Sequence, residues 1–340
     1  MGLLKDRSGS DLRVRDVMQT PSLLQSGRSG PRMLDAHIVA EEAEATIRAL
    51  RIAKDAQFES LYSYLIVDEP SVQLLPLHFL PPGSEDVVGK DTLHDLGVAA
   101  KLEYARNRWL DDLVDAKDHP SLPLAAHRIN DLVIALIKDR YRKVLDVSVA
   151  ASFYDILADL YARHSLSLVI DGWRAGYPEC AMSLKEYVEH ARARHGPMRA
   201  PLDAILLLTN APDRTLRKAR VSWHNWELGV QFYDDALDVE EDFRNGNPSW
   251  VVSRTLEIFH GELDPEGTSA PPGSDEFYRI ALTEGTVCQA LTYAASFFAA
   301  SASQAAQNFP TWAAFQSQCL CRTVSLREDY EKMIAEAREA

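Results

Sequence analysis

Hydrophobic residues recur at helical spacing along most of the chain. From Met33 onward, apolar side chains return every three to four residues with charged side chains between them, as in amphipathic α-helices. Alternating strand patterns are almost absent, so we predict an all-α protein built as a helical bundle. The predicted helices lie at about 34–67, 93–118, 121–143, 145–175, 183–195, 198–210, 213–244, 249–260, 277–307 and 310–338.

Segments rich in Gly, Pro and Ser divide this pattern. Residues 1–32 contain many Ser, Gly and Arg residues without a hydrophobic period and are predicted to form a flexible tail. Residues 33–340 are predicted to form a single helical domain. Connections at about 74–92 and 261–276 interrupt this domain and could act as lids, and Asn245-Gly246-Asn247-Pro248 is a helix stop signal.

Composition and charge exclude several classes of function. The net charge of −14 argues against a general nucleic-acid-binding protein, which would carry a basic face. The four cysteines are scattered and form no CxxC pair, so we expect reduced thiols. No run of about 18 apolar residues predicts a membrane span, and no apolar signal segment begins the chain, so a cytoplasmic protein is predicted. Phosphate loops of the Walker type, GxGxxG turns and HExxH pairs do not occur.

Two short acidic clusters carry the candidate chemistry. They read DDLVD over 111–115 and DDALD over 234–238, each within a predicted helix. Like charges one turn apart destabilise a helix by a few tenths of a kcal/mol per pair, and a bound cation would offset that repulsion. Carboxylates are hard oxygen ligands, which favours Mg²⁺ or Mn²⁺. Taken singly, each cluster could be a solvated acidic face, but two copies of one pattern favour a metal site between helices.

The sequence around the second cluster resembles the trans-isoprenyl diphosphate synthases, which are class I isoprenoid synthases. Residues 229–242 read GVQFYDDALDVEED, with Gln231 three residues before the Asp pair, as in the second aspartate-rich motif of that family. Upstream, Tyr187 is followed seven residues later by Arg194, where the family typically has Tyr and then Lys-Thr. The resemblance spans roughly 90–250 and implies one large helical bundle around a central active-site cavity.

The resemblance implies a prenyl diphosphate substrate held by metal ions. Three Mg²⁺ ions are expected, two bridged to the diphosphate by the first cluster and the third held by the second cluster. Arg194 would replace the family lysine as a direct diphosphate contact. The candidate metal ligands are Asp111, Asp112, Asp115, Asp234, Asp235 and Asp238. The candidate catalytic residues are Asp111, Asp115, Arg194 and Asp234.

Further contacts are expected from other helices. Arg327 and Tyr330 share one face of the last helix and are candidate diphosphate contacts, similar to an Arg–Tyr pair late in terpene synthases. When the diphosphate leaves, the carbocation must be kept from water by an apolar, aromatic cavity. The candidate lining residues are Trp109, Phe153 and Gln231, together with Tyr154, Trp173, Trp223 and Trp226.

Three departures separate the chain from chain-elongating synthases. No Gly-Lys-Arg site for a second diphosphate is found near the N-terminus, and no Arg pair follows the first cluster. Arg106-Asn107-Arg108-Trp109 also stands where the family commonly has a His. These losses concern the second, acceptor substrate. The primary prediction is therefore a Mg²⁺-dependent class I terpene synthase, a lyase that ionises a single prenyl diphosphate and cyclises the carbocation.

Two alternatives stay open. A prenyl-coupling enzyme would use a second prenyl substrate, either as a chain-elongating isoprenyl diphosphate synthase or as a squalene- or phytoene-type synthase. The segment 242–246, DFRNG, resembles the acid-then-Gly run of the latter group. A non-catalytic partner subunit would keep the fold but would have no need of the aspartates. A homodimer would be in keeping with the family, whereas neither nucleic acid nor a membrane is expected as a partner.

Overall fold

All regular structure in the described residues is helical, which confirms the all-α prediction. The computed structural model describes residues 35–48, 61, 63–65, 73–115, 124–174, 182–263 and 272–339. In chain order the helices are α1 Ala36–Arg48, α2 Leu75–His78, α3 Glu85–Val88, α4 Lys90–Asp115, α5 Leu124–Val144, α6 Val147–Arg174, α7 Leu184–Arg194, α8 Ala200–Leu208, α9 Asp213–Leu237, α10 Val239–Asn245, α11 Trp250–Ile258, α12 Ser274–Thr283, α13 Thr286–Ala305 and α14 Pro310–Glu339. A 3₁₀ turn over Gly196–Arg199 joins α7 to α8, and a π turn over Phe259–Leu263 follows α11.

Two helices predicted as continuous are each split into two. The helix expected at 213–244 ends at Leu237, and Asp238, with φ −96° and ψ 11°, leaves the helical conformation before α10 begins. The helix expected at 277–307 is divided at Gly285, whose φ of 77° is readily adopted only by glycine. The predicted stop at Gly246 is present, with φ 68°. Hydrophobic periodicity continues across both breaks, so it could not reveal them.

The predicted connections differ from the structure in one place. The segment expected as a plain loop at 74–92 contains the short helices α2 and α3. Pro76 is compatible with α2 because it occupies the first turn, where its missing N–H costs nothing. The second connection lies mostly outside the described residues, as does the predicted N-terminal tail. Among the described helices, none combines the length and the apolar character that crossing a membrane requires.

Two groups of packed helices carry the acidic clusters. Helix α4 packs against α1, α5 and α6, whereas α13 lies between α9 and α14. The approach of α9 to α13 requires Gly229, because a Cβ there would lie 2.7 Å from two ring atoms of Phe298. Helix α7 contacts both α6 and α9, and the 3₁₀ turn after it contacts α4. The chain around α7 therefore connects the two groups.

Candidate active site

The first acidic cluster lies at the C-terminal end of α4. Asp111 is buried, and Nε of Arg194 on α7 lies 3.5 Å from its Oδ1. That oxygen accepts no hydrogen bond from the described residues. Asp112 is exposed, and the side chain of Asp115 lies outside the described part of the chain. Carboxylates at a helix C-terminus face the negative end of the helix dipole, so this position gains stability from a bound cation.

The second acidic cluster lies where α9 ends. Asp234 and Asp238 are both half-buried. Burial raises the pKa of Asp238 to about 7, and the neighbouring charges of Asp234 and Glu241 add to the shift. Burial also raises the pKa of Asp234, although Arg108 and Arg194 act in the opposite direction. Carboxylates that resist ionising together are the groups that a divalent cation would stabilise in their charged form.

Asp235 has its hydrogen-bonding capacity used within the protein. Its Oδ2 accepts hydrogen bonds from the hydroxyl of Tyr187 at 2.5 Å and from the backbone N–H of Trp250 at 2.7 Å. Its Oδ1 accepts from Nε2 of Gln231 at 2.9 Å. Burial raises the pKa of Asp235 to about 6, while these bonds lower it. The bonds join α7, α9 and α11, so they favour a framework role for Asp235 over the metal-ligand role predicted from its position in the motif.

Gln231 takes part in the same framework. It was predicted to line the cavity, and its side chain instead accepts a hydrogen bond at Oε1 from Nε2 of His195, at 3.0 Å, while it donates to Asp235. His195 follows Arg194 directly, so this bond fixes the C-terminal end of α7 against α9. The same end of α7 carries Arg194, whose backbone carbonyl also accepts a hydrogen bond from Nδ1 of His164.

Two arginines bring the clusters into one site. Desolvation beside the two clusters acts to lower the pKa of Arg108, whose side chain is nevertheless exposed, but the charges of Asp234 and Asp111 outweigh it and raise the pKa. Arg108 therefore lies within electrostatic range of both clusters, and Arg194 approaches Asp111 while it also acts on Asp234. Sequence reasoning assigned Arg194 and missed Arg108. The available signal was its position one turn before Asp111 and Asp112, on the same side of α4.

Two solved structures have a similar fold. A heptaprenyl diphosphate synthase from Staphylococcus aureus matches with a TM-score of 0.60 and 14% identity, over 87% of this chain and 99% of that chain. A polyprenyl synthase from Caulobacter crescentus CB15, complexed with calcium and isoprenyl diphosphate, matches with a TM-score of 0.59 and 17% identity over the same shares. The chain has the isoprenoid synthase fold. No family model matches the sequence, and no curated protein matches it.

A metal ion in this isoprenoid synthase fold would need ligands from a substrate as well as from the protein. Within the described residues, no three His, Cys, Asp or Glu side chains form a preformed metal cage. Magnesium usually keeps several waters and is held by one or two carboxylates together with substrate phosphates. Oδ1 of Asp111, which accepts no hydrogen bond from a described residue, and the paired carboxylates of Asp234 and Asp238 fit an ion held in that way. No His or Cys competes as a softer ligand within either cluster.

Most of the aromatic residues predicted to line the cavity are buried among other core side chains. Trp109 is fully buried and, two residues from Asp111, points to the opposite side of α4. Phe153 packs against Tyr141 with ring centroids 4.6 Å apart, in the core between α5 and α6. Tyr154, Trp223 and Trp226 also make ring contacts in the core, and the side chain of Trp173 is outside the described residues. Aromatic residues fill helical cores as readily as cavities, so the sequence could not separate the two.

The predicted late pair is engaged with its own neighbours. Nη1 of Arg327 lies 3.5 Å from Oγ1 of Thr292 on α13, and its Nε lies 3.3 Å from Glu331 one turn later. Tyr330 hydrogen-bonds to Tyr278 on α12. In the described part of the chain, these polar contacts join α14 to α12 and α13 and include neither acidic cluster. The diphosphate-binding role of Arg327 and Tyr330 gains no support from this packing.

Proposed function

We propose that this protein is a divalent-cation-dependent enzyme that ionises an allylic prenyl diphosphate. The observation that carries the proposal is the convergence of both acidic clusters on Arg108 and Arg194. Diphosphate leaves an allylic carbon only if its developing negative charge is stabilised. Carboxylates that gather cations, placed beside two guanidinium groups, are suited to a substrate that is a polyanion at one end.

Each of these side chains has a distinct task in the proposed reaction. Asp111 and Asp115 would hold two Mg²⁺ ions against the diphosphate, and Asp234 with Asp238 would hold a third, with Mn²⁺ as a substitute. When bound, the ions supply Lewis-acid stabilisation to the leaving group. Arg194 donates charge-assisted hydrogen bonds to phosphate oxygens.

Arg108 adds a second guanidinium group on the α4 side of the site. The negative charges of both clusters stabilise its protonated form, so Arg108 keeps its positive charge at any pH at which the enzyme works. Asp235 acts indirectly, because it holds Tyr187 and the N-terminus of α11 in place. The site therefore combines two acidic clusters with two basic side chains, and one carboxylate of the second cluster, Asp235, positions its neighbours.

Transfer of the prenyl group to a second substrate is the favoured outcome of ionisation. Both solved structures of similar fold are prenyl synthases by name, and one is a complex with an isoprenyl diphosphate and a divalent cation. Their likeness extends over nearly the whole of each neighbouring chain. We therefore favour a prenyltransferase over the terpene synthase that was the primary prediction from the sequence.

A single-substrate terpene synthase is the second candidate. The observation in its favour is the sequence, in which no Gly-Lys-Arg site for a second diphosphate is found near the N-terminus and no Arg pair follows the first cluster. An acceptor that carries its own diphosphate would need cationic contacts of that kind. The two candidates differ in whether isopentenyl diphosphate is consumed.

The test is to incubate the purified full chain with Mg²⁺ and geranyl, farnesyl or geranylgeranyl diphosphate, each with and without isopentenyl diphosphate. Release of diphosphate is followed by a coupled assay, and products are identified by mass spectrometry. We expect release that depends on Mg²⁺ and stops with EDTA. Longer prenyl diphosphates formed with isopentenyl diphosphate would establish elongation, whereas a hydrocarbon from one allylic substrate alone would favour the second candidate. No release from any substrate would contradict the proposal.

A further inference from the structure

A column of buried polar groups continues along α4 below Asp111. Glu103, Asn107 and Asp111 follow one another at intervals of four residues, so they lie along one side of the helix over a rise of about 12 Å. Glu103 is 0% exposed and Asn107 is 3% exposed. One polar atom of each residue, Oε2 of Glu103, Nδ2 of Asn107 and Oδ1 of Asp111, has no hydrogen-bond partner in the described part of the chain.

The nearby Arg106 does not satisfy Glu103, although it lies within electrostatic range. Its Nε donates to Oδ1 of Asn130 at 2.7 Å, and its Nη1 donates to Oδ1 of Asn107 at 3.0 Å. The distance from Nη1 to Oε2 of Glu103 is 3.9 Å, too long for a hydrogen bond. The other oxygen of Glu103 accepts from the hydroxyl of Tyr161. One carboxylate oxygen is therefore held in place while the other is left for a ligand.

Helix α6 supplies the facing side of this column. Tyr161 reaches Glu103, and His164, one turn further along α6, interacts electrostatically with Arg106 and Asp111, further along α4. His164 is 0% exposed, and its Nδ1 donates to the backbone carbonyl of Arg194 at 2.6 Å. Burial and, to a smaller extent, the charge of Arg106 lower the pKa of His164 to about 4, so the ring is neutral. Its Nε2 therefore presents a lone pair, and no described donor uses it.

Glu103, Asn107 and His164, named here the polar cluster, leave two acceptors and one donor without a described partner on the facing sides of α4 and α6. A buried polar atom without a partner costs about 1–3 kcal/mol, and native proteins usually satisfy such atoms with water or a ligand. A water molecule can accept one hydrogen bond and donate two, which matches the cluster. A hydrocarbon chain would leave all three atoms unsatisfied, and the anionic groups of a second diphosphate would be repelled by Glu103.

We propose that the polar cluster holds a water molecule that acts as the nucleophile of the reaction, with Glu103 as its catalytic base. This assignment rests on the proposed ionisation of a prenyl diphosphate. The bond from carbon to the diphosphate oxygen breaks, and its electron pair leaves with the diphosphate. A lone pair of the water oxygen forms a bond to the allylic or cyclised cation, and one water proton moves to Oε2 of Glu103. The products are diphosphate and an isoprenoid alcohol.

A water nucleophile is compatible with both the fold and the sequence, which otherwise suggest different acceptors for the prenyl group. The fold is that of enzymes named as prenyl synthases, while the sequence shows neither the Gly-Lys-Arg site nor the Arg pair expected for an acceptor diphosphate. Water needs no such site, because it is a neutral acceptor and is bound by hydrogen bonds alone. Asn107 would orient the water oxygen, and His164 would fix its second hydrogen.

The experiment measures two quantities in H₂¹⁸O with Mg²⁺ and each allylic diphosphate, in the absence of isopentenyl diphosphate. Total diphosphate release reports ionisation, and the mass of the organic product reports capture by water. The test variant is Glu103→Gln, which keeps an oxygen acceptor for Tyr161. The matched control is Glu227→Gln on α9, because Glu227 is also buried but both of its oxygens are hydrogen-bonded, to Trp223 and His224. Asp111→Asn gives the uncatalysed background.

We expect the wild-type enzyme and Glu227→Gln to form an alcohol that carries one ¹⁸O atom. In Glu103→Gln, the ratio of alcohol to hydrocarbon should fall at least about tenfold, while diphosphate release stays within about threefold. Should that variant fail to fold by circular dichroism, Asn107→Leu removes the donor of the cluster and should lower the ratio in the same way.

The possible negative results distinguish the bound water from the proposed ionisation of a prenyl diphosphate. Diphosphate release without labelled alcohol in the wild type would overturn the water assignment and leave the proposed function intact. An unchanged ratio of alcohol to hydrocarbon in Glu103→Gln would remove Glu103 as the base. No diphosphate release by the wild type would sink the proposed function, and the water assignment with it.

Discussion

The two acidic clusters differ in how the polar atoms around them are used. Around the second cluster, both oxygens of Asp235 accept hydrogen bonds, from Tyr187, Gln231 and the backbone of Trp250. Around the first cluster, Oδ1 of Asp111 is buried and accepts no hydrogen bond from a described residue. Glu103 and Asn107, which precede Asp111 on the same side of α4, also each have one buried polar atom without a hydrogen-bond partner among the described residues.

This difference assigns separate tasks to the two sides of the site. Each unpaired buried atom costs about 1–3 kcal/mol, so several along one helix would be a substantial burden unless a ligand satisfies them. The framework around Asp235 is complete without a ligand and holds α7, α9 and α11 together. On the α4 side, the buried polar atoms obtain hydrogen-bond partners only when a ligand binds. We therefore expect mutations on the α4 side to reduce activity more than stability, and those at Asp235 to reduce stability first.

Asp111→Asn should have the largest effect on activity. Loss of the carboxylate charge removes a candidate cation ligand, and we expect diphosphate release to fall by about 1,000-fold, equivalent to about 4 kcal/mol. The melting temperature should stay the same or rise, because repulsion within the cluster is relieved. Asp131→Asn, at an exposed position on α5, is the matched control and should leave the rate unchanged. A rate near that of the wild type in Asp111→Asn would refute the site.

Asp235→Ala should have the largest effect on stability. The variant leaves the Tyr187 hydroxyl, the Gln231 amide and the Trp250 N–H without an acceptor, and we expect the free energy of unfolding to fall by about 3 kcal/mol. Asp112→Ala, at an exposed position in the other cluster, should change it by less than about 0.5 kcal/mol. Urea unfolding followed by circular dichroism measures both. Equal costs for the two variants would mean that the clusters are not built differently.

The sequence predicted the fold because the fold rests on helical periodicity, which is a local property. Helices α4, α5, α6 and α7 begin and end within a few residues of their predicted bounds. The breaks at Asp238 and Gly285 were missed, since each is a single residue that departs from helical geometry while the apolar pattern runs on. Spacing identified the acidic clusters, and Gly246 was found because glycine in a left-handed conformation commonly ends a helix.

The roles within the site were harder to predict, since they depend on contacts between distant segments. Asp234 and Asp235 are adjacent and chemically identical, yet only the structure shows that Asp235 is enclosed by α7 and α11. Likewise, nothing local distinguishes Trp109 in the core from an aromatic residue in a cavity. Arg108 could have been proposed from its spacing to the first cluster, whereas the unpaired oxygen of Glu103 depends on Arg106 bonding to Asn130.

Replacement of Glu103 should change how stability depends on pH. Burial raises the pKa of Glu103 to about 7, although Arg106 and Tyr161 oppose the shift. The folded state therefore holds a proton that the unfolded state has lost between about pH 4.5 and 7, and the stability of the wild type falls as the pH rises through that range. In Glu103→Gln this contribution is absent. The free energy of unfolding of the variant, relative to that of the wild type, should therefore increase by about 2 kcal/mol from pH 5 to pH 8. Urea unfolding at both pH values measures this difference. A constant difference would show that Glu103 is paired after all.

The helix caps at the edge of the framework should give the smallest effects. Ser249 caps α11, whose first N–H binds Asp235, and Ser183 forms a capping box with Glu186 at the start of α7. Each Ser→Ala change removes one cap, so we expect each to lower the free energy of unfolding by about 1 kcal/mol. Diphosphate release should stay within about threefold of the wild type, because Tyr187 and Gln231 still hold Asp235. Ser249→Ala could instead reduce the rate far more than Ser183→Ala at equal stability. The start of α11 would then contribute to activity as well as to the framework around Asp235, and the proposed division of tasks would be wrong at that point.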